Sequence, residues 1–476
     1  MERRTFLKIL SSAGIVSLVS PTFAMEVCKN KVSKSSSALL ESAFRNPPFS
    51  SGVYTWWHWM NGNITKDGIT RDLEAMKANG IAGYQLFEAG SGIPIGPVES
   101  LSDEWVDLIL HTLKESERLG LEFAMHNCPG WSSSGGPWIT PDKAMQIITW
   151  SETKITVGKQ VRIQLPTPKH MFDYYIDTYC LAIPANMKVI PRLSILELSN
   201  RLDKDGVLTW DVPTGEWLIM RFGQTAKDQK NKSAPSKSTG LDCDKFSTEA
   251  LDYHLNCMFK RLMPAMEKIA KHSKIGLLID SYETGDQDWT SDMPAYFEQS
   301  HGYELYPFLP VLANKIVESE ESTKRFLFDF RRVRADMFAE RYYGHFQKRC
   351  KEKGIITYTE PYGGNMMEEL QVAQQLDINM GEFWCGQTVL WANYKYNRTV
   401  KQVASIAHTL GGKVVGAEAF TSEPDADKWL QYPYALKSLG DYMFTRGLSR
   451  IYFHRFAHQP HPTAAPGMTM GAWGLL

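Results

Sequence analysis

The chain has 476 residues, of which 43% are hydrophobic and 22% are charged, and its formal net charge is -1. This length is enough for one large domain together with a smaller one. A charge balance so close to neutral argues against nucleic acid or an anionic membrane surface as the main partner. The seven cysteines form no CxxC pair, which argues against a zinc ribbon or a thioredoxin-type site.

Residues 1–24 have the pattern of an export signal. Arg3 and Arg4 precede an apolar stretch at 9–19, and residues 22–24 offer a small-residue cleavage site. This order resembles a twin-arginine signal and predicts export to a bacterial periplasm or cell surface. The apolar stretch is too short to span a bilayer comfortably, and no membrane span is expected in the mature chain.

Strand-like and helix-like segments alternate through residues 25–150. Thr65 and Ser102 are suitable N-caps for two helices, because their side-chain oxygens can accept hydrogen bonds from the first helical turn. Gly120 is a suitable stop for the second of these helices. Three strands are predicted here, at 54–59, 83–88 and 122–127.

The alternation is interrupted between residues 151 and 241. Short runs of alternating apolar and polar residues, separated by Gly and Pro, predict a small inserted all-β domain. The insertion ends in a polar stretch, 227–238, whose composition is typical of a flexible loop.

From residue 242 to residue 476 the alternation of strands and helices resumes. Helices are predicted at 248–272, 294–353, 398–410 and 426–446, and strands four to eight at 275–283, 355–360, 378–384, 413–418 and 450–454. Eight strands alternating with helices predict an α/β fold, a (β/α)8 TIM-type barrel with the β domain inserted after its third strand. No eighth helix is predicted after the last strand.

Five of the eight predicted strands carry a glutamate at or near their carboxyl end, which is the end of the barrel where this fold has its catalytic residues. Like charges confined in one mouth are costly unless a proton or a cation relieves the repulsion. The pattern therefore predicts at least one raised pKa, and it suits a bound calcium ion, which prefers oxygen ligands. The five glutamates are Glu88, Glu283, Glu360, Glu382 and Glu418.

The loop 126–138 is dense in Gly, Ser and Trp and follows the third strand. Trp131 is a candidate for stacking on a pyranose ring, with His126 and Asn127 as donors to its hydroxyls. A tight structural loop with Trp131 packed inwards is the alternative. Further candidate substrate contacts near strand ends are Trp59, Asp280, Tyr282, Trp384, His454 and His458.

Five segments carry a family resemblance: WWHWMNGNIT at 56–65, GIPIGP at 92–97, the loop 126–138, DSYE at 280–283 and FHRFAHQP at 453–460. They resemble the α-L-rhamnosidases of glycoside hydrolase family 106, and the match covers essentially the whole mature chain. The resemblance implies a (β/α)8 catalytic barrel, removal of terminal α-L-rhamnose from plant pectic polysaccharides with inversion, and calcium at the active site.

The resemblance also implies roles for individual residues. Glu283 matches the general acid of the family, and Glu418 matches its general base. In an inverting mechanism these carboxyls flank the glycosidic bond with room for a water molecule between them. Glu360 and Glu382 are the candidate ligands of the cation, with contact to sugar hydroxyls as the alternative.

Two other functions remain open from the sequence. The same barrel suits a retaining glycosidase with Glu418 as nucleophile, for which a shorter carboxyl separation is expected. A carbohydrate-binding fragment without turnover is the second alternative. The family resemblance implies further β domains beyond residue 471, so a separately encoded C-terminal region is a candidate partner beside the oligosaccharide or polysaccharide substrate.

Overall fold

The computed structural model describes residues 34–131, 134–156, 158–385, 389–412, 414–422, 430–465 and 467–469. The predicted export signal therefore lies outside the described residues. The chain divides into two compact units, Met1–Gly52 and Val53–Leu476. The described part of the first contains a helix, Lys34–Arg45, and a 3-10 turn, Phe49–Ser51. No helix in the described ranges is long and apolar enough to cross a membrane.

Eight parallel strands close into a barrel in the second unit. Each strand pairs with its neighbours in chain order, and the first closes the circle against the last. This arrangement confirms the predicted (β/α)8 class. The barrel strands, labelled in chain order, are β1 (Val53–Met60), β2 (Ile81–Ala89), β3 (Glu122–His126), β4 (Ile275–Ile279), β5 (Ile356–Thr359), β6 (Ile378–Cys385), β7 (Val415–Ser422) and β8 (Arg450–Ala457).

The capping residues predicted for the first two helices of the barrel are confirmed. The Thr65 side chain accepts a hydrogen bond from the amide of Gly68, and Ser102 accepts one from Trp105. Gly120 ends the second helix in the left-handed conformation, with φ of 68°. The second unit contains the helices Lys66–Ala78, Asp103–Leu119, Thr248–Phe259, Met263–Ala270, Met293–His301, Leu309–Leu312, Glu320–Met337, the π-helical Phe338–Gly344, His345–Lys351, Glu369–Ala373, Val389–Leu410 and Pro433–Thr445.

Two boundaries differ from the sequence prediction in ways that matter for the mouth of the barrel. Strand β4 ends at Ile279, so that Asp280 and Glu283 lie on the loop after it. Strand β7 continues to Ser422, because its pairing with β6 extends to that residue. Glu418 therefore lies inside a strand instead of at its end. The predicted helix 248–272 is two helices, and Pro264 lies in the first turn of the second, where it has no amide hydrogen to donate to a preceding turn.

A β-rich segment between β3 and β4 contains the strands that were expected for the insertion. Its four-stranded sheet has the order Gln146–Ile155, Trp217–Ala226, Ile176–Pro184, Leu196–Glu197, and a separate antiparallel pair joins Gln160–Gln164 to Val207–Asp211. A buried apolar cluster that includes Leu208, Trp210 and Ile219 holds these strands together. That the segment is an independent domain stays a prediction.

Aromatic side chains fill the end of the barrel where the strands begin. The rings of Tyr54 and Tyr452 lie 5.1 Å apart, and the guanidinium of Arg450 stands 4.3 Å from the Tyr54 ring centre. Tyr358 packs edge-on against Tyr452, and a Cβ on Gly276 would come within 2.3 Å of the Tyr358 ring. Packed side chains therefore close this end of the barrel.

Candidate active site

Glu382 and Glu418 occupy paired positions on β6 and β7. Side chains at paired positions of parallel strands project to the same face, so both carboxylates enter the same region of the mouth. Glu418 is 6% exposed, and its Oε1 accepts a hydrogen bond from the Thr421 hydroxyl. The indole of Trp384 donates to Glu382 Oε1.

Asp280 and Glu360 bring two more carboxyls to the same end of the barrel. Each follows directly after its strand, and both are buried. The two carboxyls are neighbours, since the charge of Asp280 raises the pKa of Glu360. The Tyr362 hydroxyl donates to Glu360 Oε2, whereas no donor within the described ranges reaches Asp280 Oδ1 or Glu360 Oε1.

Burial and repulsion raise the pKa of three carboxyls in this group, as the crowding of glutamates predicted. Desolvation is the largest cause for Asp280, Glu360 and Glu418, because burial disfavours the charged form. Glu382 is the largest source of repulsion at Glu418, and Asp280 is the largest at Glu360. The charge of Glu283 also raises the pKa of Asp280 and of Glu418, which places Glu283 beside the cluster.

Glu88 does not join this cluster, although it was expected to face the same mouth. Its Oε2 accepts a hydrogen bond of 2.7 Å from Ser100 Oγ. Burial is the largest cause that raises its pKa, to about 7, and none of the mouth carboxyls contributes to the shift. Glu88 is therefore an isolated buried carboxyl, and four of the five predicted glutamates gather around Asp280.

Replacing Glu88 by glutamine is expected to reduce the dependence of folding stability on pH. The folded pKa of about 7 lies above the ordinary 4.5, so the contribution of this group is fully present below about pH 4.5 and is lost as the pH rises through 7. The unfolding free energy of the parent should fall about 2–3 kcal/mol further than that of the variant between pH 5 and pH 8. Urea unfolding at both pH values checks this, and equal falls would contradict it.

The carboxyl cluster is chemically suited to a hard divalent cation. Unpaired buried oxygens on Asp280 and Glu360, with Glu382 and Glu418 close by, are the kind of donor that calcium prefers. A cation there would also relieve the repulsion that raises the pKa of these carboxyls. However, no three His, Cys, Asp or Glu side chains in the described part of the chain converge in a metal-binding geometry. The cluster therefore suits calcium by the type of its donor atoms, and its side chains do not already form a metal-binding geometry.

Glu283 differs from the buried carboxyls in its surroundings. Its side chain is 37% exposed and forms an ion pair of 2.6 Å with Lys232 Nζ. The Trp131 indole nitrogen donates to the same oxygen, Oε2, over 3.3 Å. Trp131 therefore contacts a catalytic candidate directly and is not packed inwards.

His454 and Arg455 line the mouth beside Glu418. His454 Nδ1 lies 3.9 Å from Glu418 Oε1. Arg455 can only donate, so its contact of 3.4 Å makes His454 Nε2 an acceptor and leaves the ring hydrogen on Nδ1. Burial, and then the charge of Arg455, lower the pKa of His454 well below its ordinary range. Burial also lowers the pKa of Arg455 to about 10, against the opposing charge of Glu418.

His126 is held in one orientation next to Asp280. Its Nδ1 lies 2.8 Å from the carbonyl oxygen of Cys128, so that nitrogen is the donor. The backbone amide of Asp280 donates to its Nε2 over 3.4 Å. The ring of Phe87 stacks on the imidazole, with the ring centres 5.3 Å apart. His126 therefore orients the start of the loop that leads to Glu283.

Four of the residues predicted to contact the substrate are buried and contact other residues of the protein instead. Both ring nitrogens of His458 are used, one with Asp72 at 2.7 Å and one with the Thr65 amide at 3.3 Å. Asn127 bonds the Leu278 carbonyl, Ser134 and His254. Trp59 is fully buried, and Tyr282 is 3% exposed and donates to the Gly285 carbonyl. We therefore give these four a structural role and leave them out of the proposed site.

The structure adds site residues that the sequence patterns did not single out. They are Lys232, Tyr362, Thr421 and Arg455. Arg455 lies next to the predicted His454, and Tyr362 and Thr421 lie two and three residues after predicted glutamates. No sequence pattern marked Lys232 as a site residue, because it lies in the polar stretch whose composition is typical of a flexible loop.

Comparisons with known proteins agree with this geometry. A family model described as "alpha-L-rhamnosidase" matches residues 45–177 and 169–476. A protein of Formosa agariphila named "Putative beta-glucuronidase" is 40% identical over 466 residues, which cover 91% of this chain and 39% of that protein. The structure of a rhamnosidase from Novosphingobium sp. PP1Y matches with a TM-score of 0.82 at 24% identity, over 91% of this chain and 58% of that one.

The barrel and the family match together define a glycoside hydrolase. The chain belongs to glycoside hydrolase family 106, since the family model covers well over half of its residues. The chain spans about two fifths of the Formosa protein and less than two thirds of the Novosphingobium rhamnosidase.

Proposed function

We propose that this chain is an exported α-L-rhamnosidase that removes terminal rhamnose from plant pectic glycans by an inverting mechanism. The observation that carries the proposal is that an accessible carboxyl, Glu283, lies near a buried carboxyl, Glu418, whose pKa its charge raises. Two carboxyls that flank a glycosidic bond are the basic equipment for its hydrolysis. Family membership and the pattern of the first 24 residues support the choice of sugar and the export.

Glu283 is assigned as the general acid. Its exposed position suits contact with the departing glycosidic oxygen, to which it gives a proton as the bond to the anomeric carbon breaks. Glu418 is assigned as the general base, which takes a proton from the attacking water on the opposite face of the ring. The Thr421 hydroxyl holds this carboxylate in place, and His454 Nδ1 lies 3.9 Å from the same oxygen.

We also propose that the chain binds calcium as a cofactor. Glu360 and Glu382 would hold it, with Asp280 near enough to contribute. When bound, a calcium ion would coordinate vicinal hydroxyls of the sugar and neutralise part of the negative charge. Trp131, Trp384, Asp280 and His454 are the remaining candidates for contacts with the sugar, whereas both ring nitrogens of the predicted His126 are already used by the Cys128 carbonyl and the Asp280 amide.

Calcium dependence can be tested with the purified chain after a thermal melt has established a cooperative fold. Rhamnose release from an aryl α-L-rhamnoside and from pectic oligosaccharides is expected to fall at least about tenfold in chelator and to return with added calcium. Magnesium is the control, since it demands a tighter octahedral site. Undiminished release after exhaustive chelation would contradict the calcium assignment without affecting the carboxyl assignments.

A β-glucuronidase is the second candidate, because the Formosa relative carries that name. Two cations stand near the catalytic carboxyls, Lys232 and Arg455, and either could pair with a uronic acid carboxylate. An aryl β-D-glucuronide assayed in parallel distinguishes the two sugars. Hydrolysis of the glucuronide with no release from the rhamnosides would overturn the primary proposal.

A further inference from the structure

A loop from the β-rich segment is docked over the mouth of the barrel. This loop, residues 227–240, bonds to the loop after β3 through backbone groups: the Trp131 amide donates to the Lys232 carbonyl over 3.2 Å. On the other side, the Gly90 amide donates to the Ser233 carbonyl over 2.7 Å. The side chain of Asn231, 3% exposed, ties the loop to the Pro129 carbonyl over 3.0 Å. These contacts on both sides fix the backbone position of Lys232.

Close contact between the two loops depends on Gly130. Its φ is +83°, and a Cβ at this residue would lie 2.1 Å from the Lys232 carbonyl oxygen. No side chain can be accommodated there without displacing the backbone of one loop. Because Gly130 has no side chain, the two loops can come close enough for the Lys232 side chain to reach Glu283.

Lys232 and Trp131 both bind the same oxygen of the Glu283 carboxyl. Lys232 Nζ lies 2.6 Å and Trp131 Nε1 lies 3.3 Å from Oε2. Within the described residues, neither of these two donors is directed at Oε1. The carboxyl is therefore held by one oxygen, and the other is left for the glycosidic oxygen.

We propose that Lys232 is a positioning residue for the general acid: it holds Glu283 Oε2, so that Oε1 carries the proton and faces the leaving group. This inference rests on the proposed function. During the reaction the Oε1–H bond breaks, its proton joins the glycosidic oxygen, and the bonding pair of the glycosidic bond goes to that oxygen. The new negative charge on the Glu283 carboxylate is then shared with the Lys232 ammonium and the Trp131 indole.

Stability does not explain this ion pair. The Lys232 side chain is 54% exposed and that of Glu283 is 37% exposed, and pairs so exposed contribute little to folding. Three charged groups near Glu283 are Lys232 from the loop, Asp280 from its own segment and Glu418 from β7. Lys232 is the cation among these three, so its removal leaves Glu283 facing two carboxyls.

The test is Lys232→Met in the whole chain, compared with Lys232→Arg and with Lys237→Met, which alters an exposed lysine of the same loop. On a rhamnosyl sugar, whose leaving group needs a proton, Lys232→Met is expected to lower kcat/KM about 100-fold. On a dinitrophenyl rhamnoside, which departs without protonation, the loss should stay below about threefold. Lys232→Arg should restore most of the activity, since it keeps a cation beside Glu283 Oε2.

Equal losses of activity on the two substrates, or no loss on either, would overturn the positioning role. Crystal structures of the parent and of Lys232→Met provide a readout that does not depend on turnover, since the Glu283 carboxyl should change rotamer in the variant. An unchanged Glu283 would also contradict the proposal. A parent that folds and releases no rhamnose would contradict the proposed function alone, while the two crystal structures would still decide the positioning.

Discussion

Glu283→Gln is expected to abolish most rhamnose release from sugar substrates while sparing substrates with activated leaving groups. Removing a general acid costs about 10²–10⁴-fold where the leaving oxygen must be protonated. A dinitrophenolate leaves as a stable anion, so on the dinitrophenyl rhamnoside we expect a loss of about tenfold or less. Steady-state kcat/KM on the two substrates measures the difference, which should exceed about a factor of 30.

Because Glu283 is partly exposed, Glu283→Gln should change the chemistry of the site with little effect on folding stability. Its carboxyl is 37% exposed and its ion pair with Lys232 lies at the surface, so the melting temperature should change by no more than about 2 °C. Glu304→Gln, at an exposed glutamate away from the barrel strands, is the matched control and should behave like the parent. The same loss on both substrates would remove Glu283 from the role of acid.

Glu418→Gln is expected to abolish hydrolysis whatever the leaving group. The attacking water loses its base, and this step is needed for every substrate, so kcat should fall about 10³-fold or more on both the sugar and the dinitrophenyl rhamnoside. The amide oxygen of glutamine can still accept the hydrogen bond from Thr421. The variant also loses a buried carboxyl whose pKa is raised by burial and by Glu382, so it should melt no lower than the parent at neutral pH.

The comparison between the two variants separates the roles. The assignment of acid and base would be reversed if Glu418→Gln lost more activity on the sugar than on the dinitrophenyl rhamnoside and Glu283→Gln lost the same on both. Full activity of Glu418→Gln on either substrate would exclude Glu418 from the chemistry. A retaining mechanism with Glu418 as nucleophile also predicts a loss on both substrates, and the configuration of the product decides between them.

The fold could be predicted from the sequence because the hydrophobic period changes between strands and helices, and because local signals mark the helix ends. Thr65, Ser102 and Gly120 satisfy capping rules that depend on a few neighbouring residues. The ends of β4 and β7 were harder to place, because pairing with neighbouring strands sets them. The break in the predicted helix at 248–272 arises from Pro264, which the apolar spacing alone does not register.

The carboxyls of the mouth could be predicted because a barrel brings its strand ends together. The same argument failed for Glu88, whose side chain meets Ser100 instead of the cluster. The position of a residue near a strand end also does not show whether its side chain is exposed to substrate or buried. His458 and Asn127 are buried because they bond to residues far away in sequence. Lys232 reaches Glu283 across 51 residues of sequence through the docking of two loops, and no local pattern encodes that contact.

The most direct test of the central claim is proton NMR of an α-L-rhamnoside while the purified chain hydrolyses it, with calcium present. The two-carboxylate inverting mechanism predicts that β-L-rhamnose appears first and equilibrates with the α anomer only later. First appearance of α-L-rhamnose would contradict inversion and favour Glu418 as a nucleophile. A folded chain that produces neither anomer would contradict the claim that this barrel is a rhamnosidase.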